Sequence, residues 1–142
     1  MSTSKKTLSL LLMMVVASVT GCSWLQNGKA TGEKAVGKFH DQLNSGQFHE
    51  IYAHTDEGFR KATSEPETIA YLEAVHRKLG VERNAKQVGW RVFATTGGTQ
   101  VSLVYETDFD DGKATEQFVF LVNGDEARLF KYNIQSPTLI TK

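Results

Sequence analysis

Apolar positions along this chain change their period twice. From Leu8 to Val19 they form a stretch of twelve residues broken only by Ser9 and Ser18. From about Thr31 to Gly80 they recur every three to four residues, and from Val88 to Ile134 every second residue. A recurrence of three to four marks one face of a helix and a recurrence of two marks a half-buried strand. Val36, Phe39 and Leu43 therefore predict a helix from about Thr31, closed by Ser45-Gly46, and Phe48, Ile51 and Tyr52 a shorter second piece. A third short segment runs through Phe59. Ser64-Glu65-Pro66-Glu67 then opens the strongest helix, because Ser64 with Glu67 has the form of a capping box and Pro66 lies in the first turn, where its missing N–H has no partner to lose. Ile69, Leu72, Val75 and Leu79 make its buried stripe and Gly80 ends it.

In the second half, Val88, Trp90, Val92 and Ala94 alternate with Gln87, Gly89 and Arg91 ahead of a turn at Thr96-Gly97-Gly98-Thr99. Val101, Leu103, Tyr105, Thr107 and Phe109 share one face of the next strand, and Gln100, Ser102, Glu106 and Asp108 the other, with Val104 among the polar set. Asp110-Asp111-Gly112-Lys113 is a turn by composition. Phe118, Phe120 and Val122 alternate with Gln117, Val119 and Leu121, Asn123-Gly124 turns the chain, and Leu129 to Ile134 supply the last strand. Helices followed by strands joined through tight turns predict an α+β domain, its N-terminal helices packed on a curved four-stranded antiparallel meander.

The short apolar run changes the picture of where this domain resides. Lys5 and Lys6 precede it, Val19-Thr20-Gly21-Cys22 follow it, and Cys22 is the only cysteine of 142 residues. A membrane-spanning helix needs about 20 apolar residues, so the run is too short to cross a bilayer. Charged n-region, apolar h-region and small residues before a cysteine resemble a bacterial lipoprotein signal peptide with its lipobox. The resemblance implies cleavage between Gly21 and Cys22, removal of residues 1–21, and acylation of Cys22, palmitate among the chains. It also implies a lipid anchor in the cell envelope. Ser23 after the cysteine is not the aspartate associated with inner-membrane retention, which points to the outer membrane, with the domain facing the periplasm. Residues 22–32, rich in Gly, Asn, Gln, Lys and Thr, read as the lipidated N-terminus and a flexible tether, and residues 33–142 as one domain. Within the tether, Trp24 and Leu25 either sit at headgroup level or cover the domain edge.

The domain itself is similar to the cystatin-like cone of the nuclear transport factor two superfamily, and within it to small exported bacterial domains of unknown function. The residues that carry the likeness are Phe39 to Phe48 with Gly46, Phe59-Arg60, Leu79-Gly80, Val104 to Phe109, Glu116 to Phe120 and Tyr132-Asn133-Ile134. Such cones enclose a cavity between sheet and helices, and some relatives are isomerases and dehydratases that use buried carboxylates or histidines.

Charge narrows the functions further. Loss of residues 1–21 leaves 121 residues, and with Lys5 and Lys6 gone 14 basic side chains face 16 acidic ones, a net charge of −2 with His neutral. No basic stripe argues for nucleic acid. Candidate chemistry is sparse. Glu106 and Asp108 share a strand face, the spacing two cooperating carboxylates need, yet that face is the polar one. His76 borders the apolar stripe of the main helix, where it can point into a cone cavity, although a histidine there is more often simply hydrogen-bonded. Glu73-Ala74-Val75-His76 has the Glu-x-x-His spacing of an iron site without a second copy, and the Asp108-Asp110 pair fails as a calcium loop because Val119 falls where a bidentate Glu is required. No metal or cofactor is therefore expected. The reading is a lipid-anchored, non-enzymatic binding or scaffold domain for an apolar ligand or another envelope protein. Its exposed sheet is the candidate surface for a homodimer. The alternative is a cone-type isomerase, dehydratase or hydrolase using His76 and a carboxylate.

Overall fold

The computed structural model describes residues 23–141; residues 1–21, expected to be a signal peptide, and Cys22 lie outside the described residues. Four helices come first: α1 (Ser23–Asn44), α2 (Phe48–Ala53), α3 (Glu57–Ala62) and α4 (Glu65–Leu79). Four strands follow, β1 (Glu82–Thr95), β2 (Gly98–Phe109), β3 (Gly112–Asn123) and β4 (Glu126–Gln135), and a short α5 (Pro137–Thr141). The strands form one antiparallel sheet in the order β1-β2-β3-β4, as expected for a meander. The helices pack on one face of it, giving the α+β architecture anticipated from the change of period and consistent with a cone-like fold.

The core lies between α1, α4 and the two central strands. Val36, Phe39 and Leu43 of α1 and Leu72, Val75 and Leu79 of α4 are buried against Val101, Leu103 and Tyr105 of β2 and Phe118, Phe120 and Val122 of β3. Ile69 is only partly covered, and Thr68 takes the buried position in the first turns of α4. At the start of α4 the Ser64 N–H donates to Glu67 Oε2 at 3.0 Å, completing the capping box. At its end Gly80 adopts φ of +77°, and a Cβ there would lie 2.8 Å from that of Asp110. Backbone bonds from Asp110 N–H to Val81 and from Asp111 N–H to Leu79 tie the β2–β3 turn to this helix end.

Two expectations are corrected. Residues 23–32 are not a flexible tether: they are the first turns of α1, and Gly28 and Gly32 are buried. The i, i+4 glycines leave that face of the helix flat, so that it seats directly on the sheet. A Cβ on Gly32 would stand 3.0 Å from a Val101 methyl, and one on Gly28 3.3 Å from the methyl of Thr99. Glycines scattered among polar residues resemble a linker in composition, and only the partner surface on β2 reveals their use. The second correction concerns β1. Gln87 pairs with Tyr105 and Gly89 with Val104, so Val88 sits in a bulge and the strand changes phase there. Trp90 and Val92, opposite Leu103 and Val101, are out of step with Val88, and Trp90 remains 57% exposed because β1 is an edge strand beyond full helix cover.

The other edge is protected. Asp56 N–H donates to the Leu129 carbonyl at 2.8 Å and Leu129 N–H to that of His54 at 3.0 Å, so residues 54–56 occupy part of the open ladder of β4. Arg60 holds this segment by donating to the Ala53 and Thr55 carbonyls at 2.9 and 3.0 Å.

Candidate functional site

The largest polar feature of the interior is Glu116 on β3, whose side chain is fully buried. Its position follows from the strand period, since Ala114, Glu116, Phe118, Phe120 and Val122 share the helix-facing side. Three elements bring donors to it. Tyr132 of β4 donates its hydroxyl to Oε1 at 2.7 Å, Thr107 of β2 donates to Oε2 at 2.6 Å, and His40 of α1 places Nε2 2.8 Å from the same Oε2. Thr107 and Tyr132 reach Glu116 diagonally, because the residues directly across from it are Tyr105 and Ile134. Two hydroxyl donors and the His40 ring nitrogen thus close on the two carboxyl oxygens at 2.6–2.8 Å.

Aromatic rings wall this cluster. Phe39 meets Phe118 edge-on at 5.1 Å and Tyr132 at 4.6 Å, and His40 meets Phe118 at 5.8 Å. The Tyr132 phenol is pushed well above its ordinary value, first by burial, then by the Glu116 charge and by its hydrogen bond to that group. Tyr71 of α4 approaches Tyr132 at 6.3 Å and is also raised by burial, with the Ile134 backbone hydrogen bond opposing the shift. Both tyrosines are therefore proton-carrying donors near neutral pH.

Beside the cluster lies an apolar cleft of about 280 Å³, bounded by Phe39, Ile51, Phe59, Leu72, Leu129 and the two tyrosines, with Thr63 and Thr68 at its polar side. A second cleft of about 450 Å³ lies across Phe39, Ile51 and Leu129 from it, between the polar side of α1 and the β3–β4 turn. There Lys38 Nζ stands 2.9 Å from His54 Nε2. Glu116, His40 and Thr107 line neither cleft; Tyr132 alone connects the buried cluster with the first.

The structure keeps Glu106 and Asp108 together in one groove on the outer face of the sheet and brings neither to His76. Glu106 is exposed, and Asp108 pairs with Lys113 at 2.9 Å on the outer face of the sheet. Thr107 between them points inward, so the alternation that unites Glu106 and Asp108 also removes them from the interior. His76 packs edge-on at 6.2 Å against Phe48, its Nδ1 is buried without a hydrogen-bond partner, and it touches no carboxylate among the described residues. The buried acid is Glu116 and its histidine is His40. Both were signalled in the sequence, Glu116 by standing in phase with Phe118 and Phe120, and His40 by lying at i+4 from Val36 and i−3 from Leu43. Cys22 and Gly21, the expected lipidation and cleavage positions, lie outside the described residues. Among the described residues no group of His, Cys, Asp and Glu is arranged to hold a metal, and no helix is long and apolar enough to cross a membrane.

Architecture and site together define an α+β domain with helices on one face of an open antiparallel sheet and a sequestered carboxylate beneath them. No family model matches the chain, and no curated protein matches it either. Among solved structures it is similar to Bd1075 of Bdellovibrio bacteriovorus, at 11% identity and a TM-score of 0.42. That likeness covers 72% of this chain and 40% of the other.

Proposed function

We propose that this chain is a lipid-anchored protein of the bacterial envelope, held to the outer membrane through Cys22, whose cone-like domain of the nuclear transport factor two type is a non-enzymatic binding module facing the periplasm. The observation that supports a binding role over a catalytic one is the state of Glu116. Both of its oxygens are engaged by Tyr132, Thr107 and His40, and the carboxylate lines neither cleft. A general acid or base must come within about 2.6–3.2 Å of the proton that it moves. The cleft beside it offers an apolar wall with two tyrosine hydroxyls and two threonines, the lining of a site for a small apolar molecule or a partner's apolar side chain.

The test uses N-phenyl-1-naphthylamine, an apolar dye that brightens when it leaves water. Saturable brightening with the mature protein, lost on Thr63→Trp where the larger side chain fills the cleft, is the expected result; equal brightening of the Thr63→Trp protein refutes the assignment. The anchor is tested separately by fractionation of cells carrying Cys22→Ser, which should move the protein from the membrane to the soluble fraction.

One observation favours a second reading, a cone-type isomerase, dehydratase or hydrolase. Tyr132 faces the cleft while bonded to Glu116, so it can relay the influence of the Glu116–His40 pair to a bound molecule. In that case a folded Glu116→Gln protein is inactive in the cell. In the binding reading its phenotype follows its stability.

A further inference from the structure

The anchoring residue and the folded domain are adjacent in the chain. Cys22 is followed immediately by Ser23, the first residue of α1, so no flexible segment separates lipid from helix. The rigidity of that joint comes from Gly28 and Gly32, which fix the first turns of α1 to β2. At this end of the molecule Trp24 is 43% exposed and lies beside Thr99 and Gly124, at the tips of the two hairpins, which are joined to each other by Asn123 Nδ2 donating to the Gly97 carbonyl.

Resting on the lipid-anchor reading, we infer that the bilayer surface itself is a partner of the domain: α1 stands upright on the membrane, with the hairpin end seated on the headgroups and Trp24 inserted among them. Tryptophan prefers that depth because its ring is apolar and its N–H needs a polar neighbour. The flank of α1 argues against the helix lying flat, since beyond Trp24 its exposed residues are Gln26, Asn27, Ala30, Lys34, Gly37, Lys38 and Asp41, which offer no large apolar stripe to a membrane. The upright mount sets a height for the binding cleft. Phe39 lies sixteen residues beyond Ser23. At 1.5 Å rise per residue this raises the cleft roughly 24 Å above the anchor. The cleft therefore samples the aqueous periplasm and not the lipid.

The two tryptophans provide the test. Trp90 is 57% exposed and sits under Lys29, with the ammonium 5.6 Å from its ring, about five residues up α1 from Trp24. The full-length acylated protein is reconstituted into phosphatidylcholine vesicles with brominated chains, as Trp90→Phe and, separately, Trp24→Phe, each leaving one emitter. Quenching of Trp24 with no loss of Trp90 emission is the expected outcome. Equal quenching of both means that the helix lies along the surface and overturns the inference; quenching of neither means that the domain stands clear of the bilayer and also overturns it. Mass spectrometry of the same preparation separates the two levels. An unacylated Cys22 removes the anchor reading and this inference with it, whereas an acylated protein with unquenched Trp24 removes this inference alone.

Discussion

Glu116→Leu tests the energetic role of the buried cluster. The substitution keeps roughly the side-chain volume and deletes the acceptor shared by Tyr132, Thr107 and His40. A buried donor left without a partner costs about 1–3 kcal/mol. The Thr107 hydroxyl can rotate and His40 can place its proton on the other ring nitrogen, so the full cost applies to Tyr132 and a part to each of the others. The sum is roughly 2–6 kcal/mol, reduced by the desolvation of a carboxylate that leucine avoids. Against a total stability of about 5–15 kcal/mol for a domain, that loss leaves a marginal fold. Glu116→Gln retains an acceptor for Tyr132 but turns an NH₂ toward two donors, and should cost about 1–3 kcal/mol. Guanidinium unfolding followed by tryptophan fluorescence measures both. Combining Glu116→Leu with Tyr132→Phe closes a cycle in which the coupling should be about 0.5–3 kcal/mol, since Tyr132→Phe removes a donor that no longer has an acceptor. A Glu116→Leu protein as stable as wild type, or strict additivity in the cycle, refutes the assignment.

Three further outcomes follow from the geometry. Gly37→Ala, at an exposed position of α1 with nothing within 4 Å of a new Cβ, should raise the unfolding midpoint by a gain of about 0.8–1 kcal/mol, whereas Gly32→Leu, driven into Val101 and Leu103, should lower it. Leu72→Ala, in the fully packed stripe of α4, should cost about 2–5 kcal/mol by calorimetry. Tyr132 titrates in the fold above its unfolded value, so its contribution is complete below about pH 10 and is lost as pH rises from there through the folded value. Unfolding midpoints should therefore fall above about pH 10, and less steeply in Tyr132→Phe, with Tyr71 and Tyr105, also raised, carrying the remainder.

Local sequence determined the architecture, because period is a property of consecutive residues. The capping box at Ser64, the stop at Gly80, the hairpin turn at Asn123-Gly124 and the alternation through Val101–Phe109 each act within a few residues, and together they select helices followed by a meander. They also placed Thr107 and Glu116 on the inward faces. What they could not supply is the company a residue keeps. Glu116 and His40 are 76 residues apart in the chain, and the carboxylate is tolerable inside only because α1, β2 and β4 converge on it with donors. Glu106 and Asp108, adjacent in the pattern, remain on the outer face with Lys113. Gly28 and Gly32 likewise carry no local signal of order, since their function is an absence of side chain that only the surface of β2 makes use of. The elements were thus written in short-range spacing, while the buried carboxylate cluster and the seating of α1 arise from long-range contacts, whose energies depend on which surfaces the fold brings within a few ångströms.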